Sequence, residues 1–281
     1  MKLGCFQSNR ALHEMDYPVF VNAVAHLGYP AVDAPLAISD AVDLCIGTGL
    51  TVHSVGPLHL PDLSADTAQQ EKIAQTAREA IESASDQRVP TITTLIGRAM
   101  DRDGDENIAI YRDVFTPLAA YAEQKNVKLA FENWPRNGTM LATTPEMWDA
   151  MFSAVPSPAI GLCYDPSHFV WQGIEYIQPI WDFKDRIYHA HAKDTEILLA
   201  ARNRYGIYGR LLSETTPANW WRYRLPGYGE VNWRNYIDTL YQVGYDDVLS
   251  VEHEDREWAS TSDVALKGLK LALEFLKPML V

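Results

Sequence analysis

Short apolar runs alternate with longer amphipathic stretches along almost the whole chain. Eight runs rich in apolar or β-branched residues, mostly bounded by Gly, Pro or Asp, predict strands at 2–6, 31–35, 50–55, 91–97, 127–133, 160–166, 187–194 and 248–255. Between them the apolar spacing switches to that of a helix. Residues 66–87 place Ile73, Ala77, Ala80, Ile81 and Ala84 on one face. Residues 16–27, 107–124, 232–243 and 261–276 read the same way, with Gly28 and Gly244 as natural stops. Thr144-Pro145-Glu146 has the form of an N-cap followed by Pro in the first turn, and opens a helix to Phe152.

Strands that alternate with helices pair in parallel. Eight such units in 281 residues allow about 35 residues each, which suits an α/β architecture of the (β/α)8 TIM-barrel type. The rival is a doubly wound sheet, but its dinucleotide fingerprint is missing. Gly47-Thr48-Gly49 precedes a predicted strand instead of following one, and position 52 is Val52. The expectation is one TIM-barrel domain over 1–281, with a long βα loop at 195–231 after strand seven.

Lys and Arg number 24 against 37 Asp and Glu, a net charge of −13. That excess repels phosphate backbones and anionic membranes, so neither nucleic acid nor a membrane is expected as a partner. The three cysteines, Cys5, Cys45 and Cys163, are far apart and form no C-x-x-C, which predicts reduced thiols instead of a disulfide scaffold or zinc knuckle. Leu3-Gly4-Cys5 has no apolar stretch before it and is not read as a lipoprotein signal. The expected compartment is the cytosol, and a homo-oligomer is left open.

In a barrel the chemistry gathers where strands end. Glu132, Asp165, His191 and Glu252 each follow an apolar stretch at such an end. Any one of them alone is more readily a salt-bridge partner or a core imidazole. Three carboxylates meeting in one small mouth, however, repel each other unless a cation lies between them. One imidazole with three carboxylates favours Mn²⁺ or Mg²⁺, with Co²⁺ or Zn²⁺ as substitutes. His253 alternates with Glu252 and is read as outward-facing, whereas His189 and His191 share a face.

The ordered phrases Phe131-Glu132-Asn133, Tyr164-Asp165-Pro166-Ser167-His168, His191-Ala192-Lys193-Asp194 and Val251-Glu252-His253 resemble the xylose isomerase-like superfamily of sugar phosphate isomerases and epimerases. It includes ketose 3-epimerases and inosose-processing enzymes. The resemblance implies one divalent metal on Glu132, Asp165, His191 and Glu252, with Glu132 and Glu252 also serving as acid and base on opposite faces of a sugar or keto-sugar. It implies that His168 contacts the sugar. Those epimerases carry an Arg six residues after the metal His, where this chain has Ile197; Arg202, Arg204 or Arg210 are the substitutes.

Such a set moves a proton next to a carbonyl through a metal-stabilised enolate. Lys193 adds charge stabilisation or else forms an ion pair with Asp194. His53, taken as lying at the end of strand three, and Trp134, beside Glu132-Asn133, are further substrate contacts or packing residues. The alternatives are a lyase acting on a 3-oxo-glycoside by the same enolate, an apurinic-endonuclease-like nuclease, and a non-catalytic sugar-binding barrel. Strand four has no His and the loop after His191 no Asp-x-His, which argues against the nuclease's three-metal cluster.

The loop 195–231 holds Trp220-Trp221-Arg222-Tyr223-Arg224, and its five Arg exceed its three acidic residues. It is expected to fold over the mouth, or to be braced there by a second subunit, instead of only packing on the rim. Its basic surplus points to an anionic group on the substrate or to a subunit contact.

Overall fold

The computed structural model describes residues 1–209 and 220–280. Its strands are β1 (Lys2–Cys5), β2 (Ser54–His59), β3 (Thr91–Leu95), β4 (Lys128–Glu132), β5 (Ile160–Tyr164), β6 (Ile187–Ala192), β7 (Asp194–Ile197), β8 (Trp221–Arg224) and β9 (Val248–Val251). Seven of them form one sheet in the order β1-β9-β6-β5-β4-β3-β2, and every ladder in it is parallel.

The two edges of that sheet meet through residues 31–34. The Asp33 N–H donates to Cys5 O (3.1 Å) on β1, and the Ala34 N–H donates to Ser54 O (3.1 Å) on β2. The expected strand at 31–35 is therefore reduced to isolated bridges, Ala31 to Thr51 and Ala34 to Val55. They still close the barrel.

β3, β5 and β6 are buried at every position, as parallel strands are when helices cover one face and the barrel interior the other. Phe131 on β4 shows the outer side, packing edge-on against Phe115 of the helix Gly104–Lys125 with ring centroids 5.4 Å apart. By alternation its neighbour Glu132 points the other way. The helices start where side chains satisfy their first N–H groups: Asp66 before Thr67–Asp86, the Asp103/Glu106 capping box before Gly104–Lys125, and Thr144 before Pro145–Ala154. No helix among the described residues is long and apolar enough to cross a membrane.

Two expectations change. The strand predicted at 50–55 begins only at Ser54, because the helix Ala41–Gly47 and the left-handed turn at Gly49 (φ 88°) bring the chain in late. Leu50 is then core filling ahead of the ladder. The loop 195–231, in turn, contains regular structure: β7 pairs antiparallel with β8, Thr195 opposite Tyr223, and the helix Leu199–Tyr205 follows β7. Arg210 lies outside the described residues.

Candidate active site

Four strand ends converge on one point. Glu132 closes β4, Asp165 follows β5, His191 lies near the end of β6 and Glu252 follows β9. Each offers a ligand atom, and these atoms all lie within 4.8 Å of one another. Cys163 Sγ engages His191 Nε2 at 3.4 Å, which leaves Nδ1 turned to Glu252 Oε2 (3.1 Å) and Glu132 Oε1 (3.7 Å).

Asp165 divides its two oxygens. Oδ1 accepts the Ser167 N–H (2.8 Å) as the cap of the helix Pro166–Gln172, while Oδ2 faces the cluster. Asn133 fixes the backbone there, its amide donating to Asp165 O (2.8 Å) and accepting the Asp165 N–H (2.9 Å). Asp165 Oδ2 and His191 Nδ1 are buried and make no well-formed hydrogen bond; charged groups face them, Lys193 Nζ 3.1 Å from Oδ2 and Glu252 Oε2 3.1 Å from Nδ1.

Lys193 is the cation of the cluster. Its ammonium lies 2.7 Å from Glu252, 3.1 Å from Asp165 and 3.2 Å from Glu254. Burial alone would lower its pKa, but these carboxylates raise it well above the ordinary value. Four carboxylates, those of Glu132, Asp165, Glu252 and Glu254, crowd around this one ammonium and the His191 imidazole, an excess of acidic groups in a space of few ångströms. A carboxylate-rich donor set whose ligand atoms face one point fits a divalent cation.

His168 is fully buried behind Glu132, with Nε2 3.1 Å from Glu132 Oε1 and Nδ1 3.0 Å from the Tyr223 hydroxyl. The ionised Glu132 carboxylate can only accept, which puts the ring proton of His168 on Nε2 and leaves Nδ1 to accept from the Tyr223 hydroxyl. Lys193 Nζ is 3.3 Å from the same Nε2, but its protons are committed to the carboxylates around it.

Beside the cluster opens a cavity of about 930 Å³. Glu132, His191, Lys193, Glu252, Glu254, Trp134 and His59 line it, whereas Asp165 and His168 stand behind the wall. Neither His53 nor Arg202 is brought to it. Because β2 starts late, His53 falls at the opposite, N-terminal end of the strands, 3.3 Å from Asp247 and 3.4 Å from Tyr188 O. Arg202 is exposed on the helix Leu199–Tyr205, and Arg222 and Arg224 are spent on Glu196, Glu257 and Asp255.

Lys193 and Asp194 are not an ion pair, because successive residues diverge. Asp194 instead accepts the N–H groups of Thr195, Gly227, Gly229 and Val231 and the Trp233 indole. His253 does point out of the barrel, yet it is buried under the helix Ser262–Leu276, where a side chain at Gly268 would strike its ring.

Of the loop expected to cover the mouth, the described part acts as a brace, and residues 210–219 lie outside the described residues. No described residue of 195–231 lines the cavity; Trp221 stacks on Trp171 (4.5 Å, 3° between planes), and Tyr223 reaches His168 from behind. Asn133 and Glu254 were given no role by the sequence, and Tyr223 was read only as part of the loop expected over the mouth. For Tyr223 a signal existed, since Trp221-Arg222-Tyr223-Arg224 alternates aromatic and basic with a period of two.

The sequence model of the family described as xylose isomerase-like TIM barrel matches residues 19–279. The chain belongs to that family. Among curated proteins it is 30% identical to the uncharacterized protein YfiH of Bacillus subtilis over 155 residues, 53% of this chain and 46% of that one. It is 25% identical to an inosose dehydratase of Clostridium perfringens over 158 residues, 56% of this chain and 51% of that one. The match to such relatives thus spans about half their length. Two similar solved structures are an IolI protein with a bound zinc atom (TM-score 0.74, 18% identity, 100% of this chain and 99% of that one) and a D-psicose 3-epimerase from Clostridium cellulolyticum H10 with D-tagatose (TM-score 0.73, 16% identity, 99% of each). They share the fold of this xylose isomerase-like barrel.

Proposed function

We propose that this chain is a divalent-metal-dependent sugar isomerase or epimerase that moves a proton next to a carbonyl. In this reading Mn²⁺ is the preferred ion, held by Glu132, Asp165, His191 and Glu252, with Glu132 and Glu252 as acid and base. One observation carries it: Glu132 and Glu252 reach the cavity while Asp165 is sealed behind them. Two carboxylates are thus available to a guest and one only to an ion.

A bound divalent cation supplies Lewis-acid stabilisation of the charge that develops as the proton leaves carbon. Glu132 and Glu252 come from β4 and the end of β9, which two strands separate, so they address a guest from different directions. Removing a proton on one face and returning it on the other requires that separation. Lys193, in the cavity wall, adds a fixed positive charge beside Glu252. His168 acts through Glu132, whose carboxylate it orients. Five acidic side chains line the cavity, which makes it a poor host for a phosphodiester. The buried free thiols suit a reducing compartment, and we assign the protein to the cytosol.

The test is exchange of the substrate C–H for deuterium in heavy water, with Mn²⁺-loaded protein and a panel of ketoses and 3-oxo-glycosides. Exchange without release of an aglycone supports the isomerase or epimerase; stoichiometric aglycone release marks the lyase. Glu132→Gln and Glu252→Gln should each lower exchange by at least about 100-fold, with metal content measured in both. Full exchange in a metal-loaded variant would remove that residue from the mechanism.

A further inference from the structure

The cavity lining is of two kinds. Glu132, Lys193, Glu252 and Glu254 form a polar cluster, and Phe6, Tyr17, Leu36, Ile38 and Trp134 supply apolar surface, with Phe6 beside the cluster, its ring 5.4 Å from that of His191. Phe6, Leu36, Ile38 and Trp134 are only partly covered, so they present bare apolar surface to whatever enters. At about 930 Å³ the space lies near the top of the roughly 300–1,000 Å³ range of pockets that enclose drug-sized ligands. A free monosaccharide seated at the polar cluster would leave much of that apolar surface wet.

Charge narrows the guest further. Among the described lining residues there is no Arg, and Lys193 is the sole lysine. Its ammonium is already held by Asp165, Glu252 and Glu254, so it has no donor to spare for a phosphate. The arginines of the loop, which alone suggested an anionic substrate, are exposed, paired within the hairpin region or outside the described residues.

We infer that this site takes an uncharged keto-sugar carrying an aromatic substituent. The sugar lies at Glu132, Lys193 and Glu252, and the ring of the substituent lies against Phe6, Tyr17, Leu36, Ile38 and Trp134. The sugar half rests on the function proposed above; the substituent half rests on the apolar wall alone. Aromatic faces suit a flat apolar guest, which they contact at little entropic cost.

Unreactive glycosides separate the two halves, because they lack the carbonyl and bind without turnover. Calorimetry on Mn²⁺-loaded protein should find phenyl β-D-glucoside bound at least about tenfold tighter than methyl β-D-glucoside, and glucose 6-phosphate no tighter than glucose. Leu36→Asp should bring phenyl and methyl glucosides close to parity while metal content and methyl glucoside binding hold. Equal binding of the two glucosides by the unaltered protein, or a preference for the phosphate ester, overturns the inference. In the exchange assay, a free keto-sugar reacting as fast as its phenyl glycoside also overturns it and leaves the proposed reaction standing. A phenyl preference that survives when no keto-sugar exchanges supports the inference and strikes the reaction.

Discussion

Asp165 shows how one side chain serves structure and chemistry at once. One oxygen caps the helix Pro166–Gln172 and the other turns to the cluster of Glu132, His191 and Glu252, so cap and cluster are set by the same torsion. Tyr223 works at the same scale. Its hydroxyl donates to His168 Nδ1, and His168 in turn holds Glu132. Tyr223→Phe should lower kcat by about tenfold with metal content and melting temperature little changed; an unchanged kcat would make the contact packing alone. Asp33 gives a pH prediction. Burial would raise its pKa, but the His189 imidazole, 3.1 Å away, brings it down to about 2. The stabilisation is therefore present above the ordinary carboxylate pKa and is lost as pH falls through about 2. Asp33→Asn should cost on the order of 2 kcal/mol at neutral pH, a gap that closes on acidification, as denaturant titrations at both pH values would read. The placing of the four cluster residues was legible in sequence because strand ends in a barrel share one address. Asn133 was invisible as a clamp because its partners are backbone atoms of Asp165, thirty-two positions on.

Among elements, the hairpin of β7 and β8 decides how the site is braced. Trp221 and Tyr223 face Trp171 and His168, while Arg222 and Arg224 face Glu196, Glu257 and Asp255. Its aromatic content correctly marked a segment that could not lie free in water, but nothing in that content says which surface it covers. The turn back to the barrel is organised by Asp194, whose carboxylate collects four backbone N–H groups and an indole. Asp194→Ala would strand those donors at roughly 1–3 kcal/mol each where they stay buried. The expected result is a loss of at least about 3 kcal/mol, together with a fall in turnover as Tyr223 leaves His168; a stable variant with normal kinetics would sink that account. The shift of β2 from 50–55 to Ser54–His59 has a similar lesson: apolar periodicity marks burial, and only the preceding turn says where pairing begins.

For the molecule as a whole, on the proposed reading, the carboxylate cluster stores repulsion that a bound cation would relieve. Free metal at a hundred times its dissociation constant should stabilise the native state by about 2.7 kcal/mol, or roughly 4–6 °C for a chain of this length. Chelation should lower the melting temperature by that amount and Mn²⁺ should restore it, while Glu252→Gln should show a smaller response; a melting point indifferent to chelator would argue against a resident ion. The eight-unit barrel was readable because parallel strands buried on both faces write nearly continuous apolar runs. Its closure was not, because residues 31–34 join β1 and β2 through a few bonds and no ladder. That closing stretch supplies none of the four cluster residues, yet it leads straight into Leu36 and Ile38 of the apolar wall. On the proposed reading, this part of what is gripped is written apart from how it reacts, although Trp134 of the same wall adjoins Glu132. Descent with change in that stretch can exchange one guest for another while the cluster, and the reaction it serves, passes on intact.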